Sequence, residues 1–274
     1  AYALSALARK VEGRDRLVLL EAGANAVWTI KNEWQHARAV VHFMEELEEP
    51  LLERGLEIVS AIETEVVQAA ALDGLASKLE GSLLVSRGLD IALAIEWAPT
   101  RVEALGCLAS KLEGPLLERA LDAALAEDSE WTRANALAAL AGKLDGSLLE
   151  RALGATLAIG DKNAQGNVLN ALANRLEGNL LDRALQACTS IEDTAARAKV
   201  FGALGDRLER MARQTTLTRA LISAVAITNT SMCASTLSAL ADKLEGETRQ
   251  TALERGLEAA LANDDLQLIA LLDS

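Results

Sequence analysis

The stretch Leu108-Ala-Ser-Lys-Leu-Glu-Gly-Pro-Leu-Leu-Glu-Arg-Ala-Leu121 decides the fold, because variants of it recur along the whole chain. We call its first seven residues the phrase and the residue that opens it the phrase leucine. Copies begin at Leu7, Phe43, Leu75, Leu108, Leu140, Leu172, Leu204 and Leu240, most of them 32 residues apart. A near-constant period in this range is typical of stacked supersecondary units, so the sequence predicts a repeat array.

Each repeat is expected to contain two helices. In the fifth, residues 131–144 and 147–159 carry apolar residues at helical spacing, as in Leu137, Leu140 and Leu144. The glycine after Leu-Glu or Leu-Asp, here Gly146, is predicted to close the first helix in a left-handed conformation. The residue after that glycine is suited to starting the second helix in four repeats, where it is Ser82, Pro115, Ser147 or Asn179.

We therefore predict an all-α protein, a right-handed α-solenoid of about eight two-helix repeats with a 32-residue period, forming one domain over residues 1–274. The helix-pair units are predicted at about 1–28, 29–63, 64–96, 97–128, 129–160, 161–192, 193–228 and 229–263. Residues 264–274 are predicted to begin another first helix, which indicates a fragment of a longer protein. We expect a monomer whose uncapped ends are able to stack end to end.

Composition argues against catalysis and against several kinds of partner. The net charge of −13 disfavours nucleic acid, whose phosphates are bound by cationic side chains. Three widely spaced cysteines and two histidines supply neither a disulfide framework nor a metal site, and they suit a reducing, cytoplasmic location. The uncharged stretch 220–241 contains polar residues and a predicted loop, so we reject a membrane span. No catalytic motif, cofactor or metal is expected.

One face of the first helices varies from repeat to repeat. These positions lie nine, five and two residues before the phrase leucine and two after it, opposite the apolar face of the helix. We call this face the stripe. Its predicted partner-binding residues are Trp34, Arg38, Val41, Glu45, Asp73, Ser77, Pro99, Glu103, Trp131, Asn135, Asn163, Asn167, Asn170, Asn174, Lys199, Asp206, Ser231, Ser235 and Asp242. The remaining stripe positions are Val66, Ala70, Gly106, Ser110, Ala138, Gly142, Ala195, Gly202 and Ser238.

The composition of the stripe favours recognition over a plain solvent-exposed face. Solvent faces of helices usually hold Glu, Lys, Gln and Arg, whereas this one holds poorer helix formers together with tryptophan. Exposed tryptophan beside adaptable polar residues is typical of binding surfaces. By contrast, each second helix keeps an arginine that we expect to pair with glutamate and to join neighbouring repeats: Arg54, Arg87, Arg119, Arg151, Arg183, Arg219 and Arg255.

The phrase resembles short two-helix TPR-like or HEAT-like repeats, such as the arrays C-terminal to bacterial STAND-type signalling NTPase domains. That resemblance implies a protein-binding sensor or scaffold, with the ATPase elsewhere in the polypeptide. The stripe would then recognise a protein or an extended peptide. The alternatives are a nucleic-acid-reading helical repeat and a structural spacer. The asparagine-rich sixth repeat also suggests diversification by a retroelement that mutates template adenines, which the codons would test.

Overall fold

The structure is a computed structural model that describes residues 2–27, 30, 33–47, 51–208 and 210–272. Side chains are described for these residues except 2, 3, 5, 13, 24, 33–38, 210, 211 and 263–272. Throughout the described residues the chain is helical and contains no β-strand. The predicted all-α helical-repeat class is therefore confirmed, while the handedness of the solenoid stays a prediction.

The chain divides into two compact units, Ala1–Asp128 and Ser129–Ser274, which we call the N-terminal and C-terminal units. The border between them coincides with the predicted border between the fourth and fifth repeats. The helices of the N-terminal unit are α1 Tyr2–Ala8, α2 Gly13–Val27, α3 Glu33–Met44, α4 Leu52–Ser60, α5 Glu65–Ala76, α6 Ser82–Ala94, α7 Ala98–Leu108 and α8 Gly114–Leu125. Those of the C-terminal unit are α9 Glu130–Leu140, α10 Gly146–Leu157, α11 Lys162–Leu172, α12 Gly178–Cys188, α13 Thr194–Gly205, α14 Arg210–Val225, α15 Thr230–Ala241 and α16 Gly246–Leu272. Odd-numbered helices are the first and even-numbered helices the second of each pair.

Leucine and alanine fill the core between the two helices of each pair. In the fifth repeat Leu137, Leu140 and Leu144 are fully buried, and Leu149 and Leu153 of the second helix are buried against them. Each buried leucine stabilises the fold by about 1.5–3 kcal/mol. The 3.6-residue period of these leucines is thus what makes every first helix turn one fixed face inward.

The turn between the two helices differs from the prediction. The first helix does not continue to the glycine: α9 ends at Leu140, a 3-10 turn covers Ala141–Lys143, and Leu144 is extended and points into the core. Gly146 does have the predicted positive φ, of 46°, but it opens the second helix instead of closing the first. No heavy atom outside its neighbours lies within 4 Å of a Cβ placed there, so backbone conformation alone requires this glycine.

Polar side chains tie each pair to the one before it. The residue seven positions before the phrase leucine donates to carbonyl groups at the end of the preceding second helix, as Gln68 does to Val59 (3.0 Å) and Gln165 to Thr156 (3.2 Å). These bonds satisfy carbonyls that a helix end leaves without a partner.

In some repeats the basic residue three positions after the phrase leucine makes a second tie, to the end of the preceding first helix. Lys78 Nζ donates to the Met44 carbonyl (3.4 Å), and Lys243 Nζ donates to the Gly202 carbonyl (3.4 Å). A cation at this end of a helix also interacts favourably with the helix dipole.

The predicted arginine ties between second helices are present in part. Arg87 pairs with Glu53 (2.5 Å) and Arg119 with Asp90 (2.7 Å), each across to the preceding pair. Arg54 instead pairs with Glu57 of its own helix (2.6 Å). All three pairs are exposed, so each contributes little to stability.

The C-terminal end also differs from the prediction, since no first helix begins near residue 264. Helix α16 continues from Gly246 to Leu272. In other repeats a buried isoleucine, such as Ile159 or Ile191, follows the second helix and anchors the loop, whereas Asn263 stands at that position here. Without this apolar anchor the chain continues as helix.

The uncharged stretch that we examined as a membrane span contains the predicted loop, because α14 ends at Val225 and α15 begins at Thr230. Among the described residues, every helix is either too short or too polar to cross a bilayer.

Candidate functional site

The first helices of consecutive pairs lie side by side. In the C-terminal unit α9 packs on α11, α11 on α13 and α13 on α15, while in the N-terminal unit α3 packs on α5 and α5 on α7. Because each first helix buries its leucine face, the opposite face of every helix in a row is left toward solvent. That face is the stripe.

The predicted binding residues of the stripe are solvent-accessible wherever their side chains are described, as a binding surface requires. Of the predicted binding residues with described side chains, Val41, Pro99 and Asn135 are half-buried and the others are exposed. The side chains of Trp34 and Arg38 lie outside the described residues. Whether the stripe binds a partner stays a prediction.

Two of the smaller stripe positions are buried, contrary to the expectation that the whole face is open. Ala195 is 5% exposed, and Gly202 is buried where α15 comes close to α13. A Cβ placed on Gly202 would lie 3.1 Å from Leu240 Cδ2. Gly202 therefore allows neighbouring first helices to pack closely. The variation at this position between repeats is explained by that packing and does not indicate recognition of a partner.

The asparagine column, which runs along α11 and into the 3-10 turn Ala173–Arg175 that follows it, is the most uniform part of the stripe. Asn163, Asn167, Asn170 and Asn174 are all exposed, and among the described residues none of their carboxamide groups hydrogen bonds to another side chain or to the backbone. Asp161 caps the helix by accepting from the backbone N–H groups of Asn163 and Ala164, both at 2.9 Å. The helix thus gains its stability from the cap and from its buried face, which leaves the four carboxamides free to bind.

A groove crosses the stripe between α11, α13 and α15. It has a volume of about 260 Å³ and is lined by Asn170, Lys199, Gly202 and Ser235, among others. Gly202 and the neighbouring alanines make the groove deeper, because they have little or no side chain. The Lys199 ammonium is exposed and makes no ion pair or hydrogen bond with any other described residue.

Not every charged stripe residue is available in this way. Asp206 is paired with Lys243 and lies 3.6 Å from Arg213, so it belongs to the ties between pairs. Ser235 donates its hydroxyl proton to the Met232 carbonyl (3.1 Å) and keeps its oxygen lone pairs free to accept. The groove therefore offers a free cation, an amide donor and acceptor, and a hydroxyl acceptor.

Each unit exposes a tryptophan at the N-terminal end of a first helix. Trp131, which the stripe includes, is 59% exposed in the first turn of α9. Trp97 is 58% exposed just before α7, and its backbone N–H donates to Glu65 (3.0 Å). Trp97 is not among the predicted binding residues, because it precedes the first helix and so lies outside the helical positions that define the stripe. The scarcity of aromatic residues in this chain was the signal that could have found it.

A carboxylate on α9 fixes the loop beside this surface. Glu130 accepts from the backbone N–H groups of Gly160 (3.1 Å) and Asp161 (3.0 Å) in the loop between α10 and α11. These hydrogen bonds lower the pKa of Glu130, since they stabilise its charged form. The loop that precedes the asparagine column is thereby held in place.

The described side chains show no catalytic arrangement. Burial raises the pKa of the Cys107 and Cys188 thiols to about 12, so both are protonated at neutral pH and are poor nucleophiles. Among the described residues there is no group of three histidine, cysteine or acidic side chains that could hold a metal ion.

No protein-family model and no curated protein matches the chain. Among solved structures, the chain is similar to a protein described as "Computational Design of Self-Assembling Cyclic Protein Homooligomers". The two share 15% identical residues over 95% of this chain and 93% of that chain, with a TM-score of 0.15.

Proposed function

We propose that this protein is a peptide-binding helical-repeat module and that the stripe of its C-terminal unit is the binding surface. The observation that carries the proposal is the groove of about 260 Å³ on the stripe, where Asn170, Lys199 and Ser235 offer hydrogen-bonding groups that the fold does not use. A sensor or scaffold role and a cytoplasmic location belong to the same proposal.

The chemistry of the surface favours an extended polypeptide with an acidic side chain. A carboxamide carries one acceptor and two donor hydrogens, which match the C=O and N–H groups of an extended backbone. The four carboxamides of the asparagine column can therefore bind a main chain without regard to its side chains. The unpaired Lys199 adds a site for one carboxylate, and charge-assisted hydrogen bonds are stronger than neutral ones.

The experiment uses a library of random ten-residue peptides displayed on phage as the probe. Peptides selected on the full chain are synthesised, and their affinities are measured by fluorescence anisotropy. We expect enrichment of Asp or Glu. Each neutral hydrogen bond contributes roughly 1 kcal/mol, so Asn167→Ala/Asn170→Ala/Asn174→Ala should weaken binding by about two orders of magnitude. Lys199→Gln should remove the preference for acidic peptides.

The matched control is Lys111→Gln. Lys111 lines a different cavity, in the N-terminal unit, and like Lys199 it makes no side-chain ion pair with the described residues. This control should bind the selected peptides as the unmodified chain does. The proposal is wrong if the asparagine variant keeps full affinity, or if oligonucleotides displace the peptides from the same surface.

The retroelement hypothesis concerns the origin of the stripe and is tested separately. It requires that the asparagine codons of α11 and the codons at equivalent positions differ mainly at adenines.

A further inference from the structure

A second cavity of the C-terminal unit lies where α10, α11 and α12 meet, and the stripe contributes none of its lining. It has a volume of about 340 Å³, at the lower end of the range for small-molecule pockets. Two of its lining residues are cationic and none is acidic, although the chain has 40 acidic against 27 basic residues. We call it the cationic cavity; its lining includes Leu157, Lys162, Gln165, Arg183, Gln186 and Ala187.

Arg183 is half-buried in this cavity, and its guanidinium makes no ion pair or hydrogen bond with any other described residue. The corresponding arginine of α8, Arg119, pairs with Asp90 of the preceding second helix (2.7 Å). Asp90 stands three residues after the repeated arginine of its helix, and Gly154 holds that position in α10. Arg183 is therefore unpaired because a substitution in the neighbouring helix has removed its acid.

Two comparisons define how unusual Arg183 is. Arg87 pairs with Glu53 (2.5 Å), which corresponds to Glu150 of α10, but Glu150 is exposed and makes no ion pair with Arg183. Arg219 of α14 is likewise unpaired among the described residues, but it is exposed and does not line the cavity. A cation that is unpaired and also half-buried in a cavity is a stronger indication of an anionic ligand than an exposed one, because burial weakens its hydration.

Lys162 brings a second positive charge to the same cavity. It is half-buried at the first residue of α11, and among the described residues its ammonium donates to the Ile159 carbonyl alone, at 3.4 Å. The adjacent Asp161 carboxylate does not neutralise it, because that carboxylate accepts from the backbone N–H groups of Asn163 and Ala164 at 2.9 Å.

Gln165 lines the cavity with a buried carbonyl oxygen that has no partner. The residue is 2% exposed, and its Nε2 donates to the carbonyl groups of Thr156 (3.2 Å), Leu157 (3.1 Å) and Ile159 (3.3 Å). These three acceptors fix the orientation of the amide, since only its NH2 group can donate to them. Its Oε1 accepts from no described residue. A buried acceptor of this kind is rare in folded proteins, and here it requires a donor group.

We propose that the cationic cavity binds a small phosphate monoester with a hydroxylated carbon skeleton. Such a group has a charge of about −1.5 to −2 at pH 7 and three acceptor oxygens, so it can engage Arg183 and Lys162 together. A hydroxyl group of the ligand donates to Gln165 Oε1, and Leu157 and Ala187 contact its carbon atoms. The site is independent of the proposed function, because it lies beside the second helices and not on the stripe.

The experiment is isothermal titration calorimetry of the full chain with glycerol 3-phosphate as the probe. We expect a Kd below about 1 mM at low ionic strength and weaker binding as salt is added. Glycerol, which has the same skeleton without the charge, should not bind measurably. Malate is a hydroxylated dianion whose charges lie on two separate carboxylates, and it should bind about 10-fold more weakly or worse.

Substitution of Gly154 tests the site without removing any residue that lines it. Gly154→Asp recreates the acid that pairs with arginine in other repeats, so it should weaken binding of glycerol 3-phosphate by about 10-fold or more. The matched control is Gly154→Asn, which has nearly the same shape without the charge and should bind as the unmodified chain does. A Cβ placed at Gly154 meets no heavy atom within 4 Å, so circular dichroism should show both variants folded.

Arginine substitutions test the same site from the other side of the predicted ion pair. Arg183→Gln should lose about as much affinity as Gly154→Asp, whereas Arg219→Gln should lose none. The proposal is overturned if glycerol 3-phosphate does not bind, if malate binds as tightly, or if Gly154→Asp and Gly154→Asn change the affinity equally. All four variants should keep the affinity of the unmodified chain for the selected peptides, so failure here leaves the proposed function standing.

Discussion

A buried ion pair in the fourth repeat leads to a prediction about stability. Other repeats have glutamine and isoleucine in its place, so they show which substitutions should be tolerated. Glu127 occupies the loop position where the other repeats place a buried isoleucine, such as Ile95 and Ile191, and its side chain is 5% exposed. Arg101 Nε and the Arg101 NH2 group donate to its two carboxylate oxygens at 2.8 and 2.9 Å. Arg101 also donates to the Ile95 carbonyl at 2.5 Å.

Removing the arginine should be costly, because it leaves a carboxylate in a site that excludes water. We expect Arg101→Gln to destabilise the N-terminal unit by about 3–5 kcal/mol at pH 7, the range for breaking one partner from a buried pair.

Replacing both partners should be nearly neutral. Arg101→Gln/Glu127→Ile recreates the combinations Gln68 with Ile95 and Gln165 with Ile191, which other repeats already use. In those repeats the glutamine amide donates to the same kind of helix-end carbonyl. Apolar replacement of a buried pair is often neutral or stabilising, so we expect the double variant within about 1 kcal/mol of the unmodified chain.

Native-state hydrogen exchange of α7 and α8 is the appropriate assay, because it reports the opening of this region alone. A loss of 3 kcal/mol corresponds to an increase of roughly 100-fold in the opening equilibrium. Urea unfolding followed by circular dichroism checks the same difference globally. If Arg101→Gln costs under about 1 kcal/mol, or if the double variant is as unstable as the single one, the pair is not buried as we describe.

Three further predictions concern the turns, the loop carboxylate and a thiol. Gly178 has a positive φ, so Gly178→Ala should lower the free energy of unfolding by about 1–2 kcal/mol in a urea titration. Gly154 lies inside α10 with open space around it, so Gly154→Ala should raise the free energy of unfolding by about 0.5–1 kcal/mol in the same titration. Because the pKa of Glu130 is lowered in the fold, its carboxylate stabilises the protein above the ordinary pKa of 4.5, and this contribution is lost as the pH falls below that value. The free energy of unfolding should therefore be higher for the unmodified chain than for Glu130→Gln at neutral pH, and the two values should become equal at low pH. Cys188, with its pKa raised to about 12, should resist alkylation by iodoacetamide at pH 8 in the native protein and react fully in urea, as mass spectrometry would show.

Much of the fold follows from the sequence because the repeat supplies many copies of one set of interactions. The period located the helix pairs, and the leucine spacing identified the buried face of each first helix. The register of the repeat also predicted the polar loop between α14 and α15. Such features depend on residues within one repeat, so each copy of the pattern predicts them again and the copies confirm one another.

The features that sequence could not predict depend on contacts between repeats. Gly202 is buried by Leu240, which lies in the next pair. Asp206 forms an ion pair with Lys243, which also lies in the next pair. Both residues vary between repeats as binding residues would, and only their neighbours show that the variation is structural. Lys199 differs from them in having no such neighbour, which is why it remains the best-placed cation on the stripe.

The loop position after the second helix shows how one kind of substitution leads to different outcomes. Ile159 and Ile191 anchor their loops in the core, and Glu127 does so as well because Arg101 neutralises it. At Asn263 the isoleucine is also missing, and there the helix continues past the point where the loop forms in other repeats. A substitution in a repeat protein therefore has to be judged with its partner in the neighbouring helix. In the fourth repeat the two positions form one ion pair, Arg101 with Glu127, so the loop is kept without the isoleucine.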